Sequence, residues 1–120
     1  MAKILIVDDS GMARRILRRI LESAGHEVIE AEDGMVAVEK YFLDKPNVVF
    51  LDLIMRGMSG LEVLQKLREM DKRARVVVAS ADIQKSTRSL TEKAGAMGFV
   101  TKPYNDQELI AAVESVLREQ

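Results

Sequence analysis

The chain has 120 residues, 48% of them apolar and 31% charged, with no cysteine and a formal net charge of −1. That describes one soluble domain with a real core, and it excludes a disulfide framework or a thiolate metal site. A protein that grips nucleic-acid phosphates directly needs a strongly basic surface, so direct nucleic-acid binding is not expected.

The first run, KILIV (3–7), is continuously apolar after its lysine and reads as a strand buried on both faces. It stops at two adjacent acids, Asp8 and Asp9, so nothing here resembles a signal peptide or membrane span, and a cytoplasmic protein is expected. Ala13, Ile16, Leu17, Ile20, Leu21 and Ala24 then form an apolar stripe at helical spacing, ended by Gly25. Four arginines, Arg14, Arg15, Arg18 and Arg19, fall on its polar face, where a solvated face is the first expectation. A docking surface for an acidic helix is the sharper one. His26 follows the glycine and is expected in an exposed loop.

The second strand, EVIEA (27–31), mixes acids with Val28 and Ile29 and suits a sheet edge. A helix from Gly34 to about Asp44 stops before Pro46. NVVFL (47–51) is another buried run, delivering Asp52 at its end. Leu61, Leu64 and Leu67 mark a third helix, and RVVVAS (75–80) a fourth strand that ends on Ser80. The fourth helix, about Ile83 to Ala94, has the weakest pattern, with Ile83, Leu90 and Ala94 as its apolar positions. The short strand GFVT (98–101) leads to Lys102 and Pro103, and Leu109, Ile110, Val113, Val116 and Leu117 form the last helix. Five strands alternating with five helices predict an α/β, doubly wound parallel sheet.

In such a sheet ligands bind beyond the carboxyl ends of the strands. Those ends carry Asp8, Asp9, Asp52, Ser80 and Lys102. Two carboxylates ~4 Å apart repel by about 4 kcal/mol at an effective dielectric of 20, and one lysine offsets only part of three. A hard divalent cation relieves this, and Mg²⁺ suits a site of few carboxylates that keeps some waters. A zinc or copper site is disfavoured because His26 is the sole histidine. The first loop, DDSGMARR, has acids where nucleotide-binding loops have glycines, so a free nucleotide phosphate is repelled.

The pieces ILIVDDS, EAEDG, VVFLDLIMRGMSGLEVL, VVVASA and AGAMGFVTKPY, in this order and at this spacing, resemble the receiver domain of two-component response regulators, most of all the single-domain chemotaxis type. The resemblance covers about Lys3 to Leu117. It implies a flavodoxin-like (βα)5 sheet of order 2-1-3-4-5, with residues 1–120 forming a single receiver domain without an output domain. It also implies a phosphoprotein in which Asp52 accepts a phosphoryl group from the phosphohistidine of a histidine kinase or phosphotransfer protein. Asp8, Asp9, Asp52 and the Ile54 backbone carbonyl would hold Mg²⁺. Lys102, the Ser80 hydroxyl and the Ala81 N–H would meet the phosphoryl group. Ser80 and Phe99 would form the switch, and the bond before Pro103 would be cis. Output would pass to an unidentified partner protein, from a monomer or a phosphorylation-linked dimer, with no membrane or nucleic acid involved.

Two residues depart from the family's pattern. Arg56 stands where proline is usual, so altered mobility of that loop with intact chemistry is expected. Ile54 is apolar where relatives often carry a polar residue, and the expectation is that it keeps water from the phosphoryl group. Met55 and Met58 are expected to pack under this loop. A metal-dependent phosphohydrolase with an aspartyl nucleophile is the rival, but its usual D-x-D pattern is absent, since Ser10 stands two residues past Asp8. An inert interaction module would be expected to lack one of the five rim residues, and none is missing.

Overall fold

The computed structural model describes residues 2–81 and 84–119. Five parallel strands, β1 (Lys3–Val7), β2 (Glu27–Ala31), β3 (Val48–Asp52), β4 (Val76–Ser80) and β5 (Gly98–Thr101), alternate with α1 (Gly11–Ser23), α2 (Gly34–Asp44), α3 (Gly60–Met70), α4 (Lys85–Lys93) and α5 (Asp106–Arg118). The sheet order is β2-β1-β3-β4-β5, so the two strands with the least continuous apolar runs lie at the edges.

Period-two alternation divides the core between the faces of the sheet. Ile4, Ile6, Val48, Phe50, Val77 and Ala79 point into one cluster, covered by Leu17 and Leu21 of α1 and Leu109, Val113 and Val116 of α5. Leu5, Val7, Val49, Leu51, Val76 and Val78 point into the other, covered by Ala37 and Tyr41 of α2 and Val63, Leu64 and Leu67 of α3. Both faces are therefore sealed, which explains why the central strands read as unbroken apolar runs. Each fully buried Leu, Ile or Val contributes about 1.5–3 kcal/mol relative to an exposed one.

The helices start on side-chain caps. Ser10, Asp33, Ser59 and Asn105 accept from the N–H groups of Ala13, Val36, Glu62 and Glu108. Ser59 and Glu62 form a reciprocal capping box. Helix α4 is the exception, because its N-cap Gln84 makes no side-chain cap bond.

Three expectations need correction. Ile16 is 47% exposed, so the α1 stripe is narrower than its spacing suggested. In α4, Leu90 is 56% exposed and Thr91 is buried instead, with its hydroxyl bonded to the Arg88 carbonyl. Short α4 turns a small polar residue inward, while Ile83 lies outside the described residues. His26 is buried rather than exposed: its Nδ1 accepts from the Ala2 N–H at 3.3 Å and its Nε2 lies 3.5 Å from Glu114 of α5. The turn after α1 folds back on the start of β1, where Glu27 N–H donates to the Ala2 carbonyl. Among the described residues no helix is long and apolar enough to cross a membrane.

Candidate functional site: an acidic rim at the strand ends

Strand register gathers the rim. Val7 pairs with Leu51, Asp52 with Ala79 and Ser80 with Thr101. Asp8, Asp52, Ser80 and Lys102 therefore emerge at the same edge, tied by Leu53 N–H to the Ala79 carbonyl and Lys102 N–H to the Ser80 carbonyl. Asp8, Asp52 and Ser80 are buried, while Asp9 is half-exposed. Ala81 is exposed just beyond Ser80. The Lys102–Pro103 peptide is cis.

One oxygen from each of Asp8, Asp9 and Asp52 lies within 4.8 Å of the others. Lys102 Nζ stands 3.3 Å from Asp52 Oδ1 and 4.0 Å from Asp8 Oδ2. Ser10 N–H donates to Asp8 Oδ1 at 2.9 Å and Ile54 N–H to Asp52 Oδ1 at 3.3 Å. Neither acid caps α1, since the Ser10 side chain does that. Burial raises the Asp8 carboxyl above its ordinary range. The neighbouring Asp52 and Asp9 push the same way, against the Ser10 N–H and Lys102.

The three carboxylates fit a hard cation on donor chemistry, since all donors are oxygens and one lysine leaves a net negative rim. Relief of that repulsion is the physical reason such a group belongs here.

Several neighbours were not legible from spacing. Arg56 N–H donates to Asp9 Oδ2 at 3.1 Å, and its Nε lies 3.7 Å from the same oxygen although the side chain is 94% exposed. The residue that replaces the family's proline thus ties its loop to the acids. Gly60 lets α3 begin against the end of β3: a Cβ there would stand 2.4 Å from the Asp52 carbonyl and from Leu53 Cα. Tyr104 packs edge-on against Phe50 at 5.9 Å, and burial, aided by Asp8 and Asp52, pushes its hydroxyl up to about 12. Only a glycine and an aromatic in the quoted motifs hinted at the last two.

Arg14 and Arg18 are not merely solvated, as the first expectation had it. Their Nε atoms meet the two oxygens of Glu30 on β2 at 3.0 and 2.7 Å, and Arg14 also donates to the Asp8 carbonyl at 2.6 Å. They fasten α1 to β2 and to the rim. Arg18 first, then Arg14, holds the Glu30 carboxyl below its usual range. Arg15 and Arg19 are exposed. Met55 and Met58 are half-buried against the core, whereas Ile54 is 69% exposed beside Asp52. Phe99 is half-buried on β5, with the Arg88 guanidinium 5.5 Å from its ring centre.

A doubly wound sheet of order 2-1-3-4-5 with three acids, a hydroxyl and a lysine on its carboxyl rim defines a receiver. The chain belongs to the response regulator receiver domain family, whose model matches residues 4–114. It is similar to the chemotaxis protein CheY of Thermotoga maritima, 36% identical over 95% of this chain and 96% of that one. CheY of Bacillus subtilis is 37% identical over 96% and 97%. A solved CheX–CheY–BeF3–Mg complex from Borrelia burgdorferi contains a chain with TM-score 0.92 and 34% identity, matched over 98% of this chain and 90% of that one.

Proposed function

We propose that this protein is a phosphorylation-controlled signalling switch whose acceptor is Asp52. The observation that carries this is the convergence of three carboxylates within 4.8 Å, with Lys102 3.3 Å from Asp52. Asp8, Asp9, Asp52 and the Ile54 carbonyl hold Mg²⁺. When bound, the ion supplies the positive charge that offsets the acids and the incoming phosphoryl oxygens. Among the described residues the Lys102 and Ile54 N–H contacts of Asp52 fall on Oδ1, which favours Oδ2 as the nucleophile. It attacks the phosphorus of a phosphohistidine on a histidine kinase or phosphotransfer protein. The P–N bond breaks, an O–P bond forms, and the imidazole leaves with a proton. Lys102 then pairs with the transferred group, joined by the Ser80 hydroxyl and the Ala81 N–H.

The switch reads that group through Ser80. Drawing its hydroxyl inward opens space for Phe99, which must leave the Arg88 guanidinium, and repacks the α4–β5–α5 face toward a partner protein or a second copy. A short α4 with one buried side chain and no side-chain cap suits a movable element. The Borrelia complex, which holds BeF3 and Mg, supports the same reading.

The test is mass spectrometry after incubation with Mg²⁺ and acetyl phosphate or phosphoramidate, with a histidine-kinase phosphodonor in parallel. One added phosphoryl group, lost in Asp52→Asn and blocked by a chelator, is expected. Rapid repeated turnover of phosphomonoesters would instead make this a hydrolase. Ile54→Asn should shorten the lifetime of the aspartyl phosphate, and an equal or longer lifetime removes the shielding role.

A further inference from the structure

The opposite end of the sheet has a different chemistry. Two hollows adjoin there and share Arg73 and Arg75. One, of about 660 Å³, is lined by Tyr41, Phe42, Pro46 and Met70, with Lys45 at its edge. The other, of about 680 Å³, is lined by Arg68, Lys72 and Met97 beside the shared arginines. Phe42 is 68% exposed and Met70 42%, an unusual placement for large apolar side chains side by side.

Three cations, Lys45, Arg73 and Arg75, therefore line the apolar hollow, and Arg68 and Lys72 line its neighbour, five in all in a chain whose net charge is −1. Of the residues lining the two hollows only Asp71 is acidic, and both its oxygens are engaged, by the Tyr41 hydroxyl at 2.8 Å and the Arg73 N–H at 2.9 Å. None of the five cations has a carboxylate within ion-pair distance among the described residues. Arg68 and Arg75 donate to the neutral carbonyls of Ala74 and Glu119. The carboxyl ends of α2 and α3 contribute about half a negative charge each. Together with Asp71 that offsets about two of five cations and leaves about three.

We propose that this end is a docking surface for an acidic polypeptide segment bearing one aromatic or long aliphatic side chain. The anchor enters the Tyr41–Phe42–Met70 hollow, and its flanking carboxylates meet Lys72, Arg73 and Arg75. Arginine forks suit carboxylates, and a core of aromatic, methionine and arginine side chains is the usual make-up of a protein interface. A nucleotide fits less well. Parallel sheets bind phosphates at helix N-termini, and this end presents helix C-termini. Both hollows are also partly open to solvent, whereas small-ligand sites bury most of their ligand. The surface lies at the far end of the strands from Asp52, so docking leaves the acidic rim accessible and does not depend on its phosphorylation.

The test is selection of a random peptide display library against the full chain at low salt. Fluorescence anisotropy of a labelled selected peptide and amide chemical-shift mapping follow. Selected peptides should be acidic with an aromatic or leucine anchor, and shifts should fall on residues 41–47 and 68–75. Lys72→Glu/Arg73→Glu should weaken binding by at least about tenfold and Phe42→Ser by about fivefold, as for anchors and paired charges at interfaces. All three side chains are exposed, so an unchanged melting temperature keeps the fold out of the result. Asp52→Asn should bind as the parent does. Failure to select acidic peptides, unchanged affinity in either variant, or shifts confined to the acidic rim overturns the proposal. So does ATP binding to these arginines when peptides do not.

Discussion

Asp8 and Asp71 stand at opposite ends of one sheet, and their carboxyls are displaced in opposite directions. Asp8 is raised, because burial among Asp52 and Asp9 penalises its charge. Asp71 is lowered, first by the Tyr41 hydroxyl and the Arg73 N–H, then by the charges of Arg68 and Arg73. The same residue type thus marks two different sites. At the carboxyl end of the strands, negative charge is concentrated on one rim at a cost to the fold, a condition that favours a cation. In the two hollows at the amino end, the one lining acid, Asp71, is engaged by a neighbouring tyrosine and stands among five cations.

If the two ends are chemically separate, removing the proposed acceptor should abolish one activity and spare the other. Asp52→Asn is expected to take up no phosphoryl group by mass spectrometry, a complete loss, while the anisotropy titration at the amino end is unchanged. A shift of more than about threefold in that affinity would show that the ends communicate, since it exceeds the scatter for sites without shared partners.

Gly60→Ala tests how closely the acidic end is built. The added Cβ meets backbone, not a flexible side chain, so the start of α3 must move away from β3. Urea denaturation is expected to show a loss of about 3 kcal/mol, at the upper end for overpacking. Mg²⁺-dependent stabilisation should weaken with it, and the peptide site should keep its affinity.

The pair of aspartates gives the most direct comparison. A carboxyl whose folded pKa is raised contributes stability that is complete below its unfolded value, near 3.8, and lost as pH rises through the folded one. In chelator at neutral pH, Asp8→Asn should therefore melt a few degrees above the parent, with the gap closing as the solution is acidified toward 3.8. Added Mg²⁺ should reverse the order, because only the parent keeps all three acids. Asp71 has the lowered pKa, so its contribution is present above 3.8 and lost as pH falls through the folded value. Asp71→Asn should cost about 1 kcal/mol at neutral pH, discounted for partial exposure from the usual strength of a charged hydrogen bond, and nothing in strong acid. Thermal melts across the pH series read both. Shifts of the same sign at neutral pH would break the contrast.

The acidic end was far easier to read in the sequence than the basic one. Asp8, Asp9, Asp52, Ser80 and Lys102 each follow an apolar run, and a parallel sheet brings the ends of such runs together whatever the intervening helices do. The core strands were legible for the same reason, because burial on both faces leaves no polar position to confuse the pattern. What spacing could not supply was pairing across the fold. Arg14 and Arg18 look like a solvated stripe until Glu30 on the neighbouring strand is beside them. His26 looks like a loop residue until α5 closes over it. In α4, Leu90 and Thr91 exchanged the burial that hydropathy assigns them, because a nine-residue helix with one inward position is placed by its connections more than by its own stripe. The basic end draws its cations from the last turn of α3, which carries Arg68, and from the α2–β3 and α3–β4 connections, which carry Lys45 at a left-handed φ of 47° and the run Lys72, Arg73, Arg75. Only the fold makes one surface of them.

Arg56 supplies the smallest effect and the finest test of how the acidic end is charged. Its backbone N–H and its guanidinium both address Asp9 Oδ2, an oxygen in the group that fits a cation. The N–H contact survives truncation of the side chain, so Arg56→Ala removes only the charge. A guanidinium 94% exposed is screened by water and salt, and such pairs are weak. The expected outcome is therefore a rise in Mg²⁺ affinity of about threefold at low salt by calorimetric titration, fading as ionic strength increases. A rise of a hundredfold would mean that Arg56 competes for the cation position itself, and a fall would mean that it holds Asp9 in place for the metal. Either result would change the account of why this loop carries an arginine, while the contrast between Asp8 and Asp71 would stand.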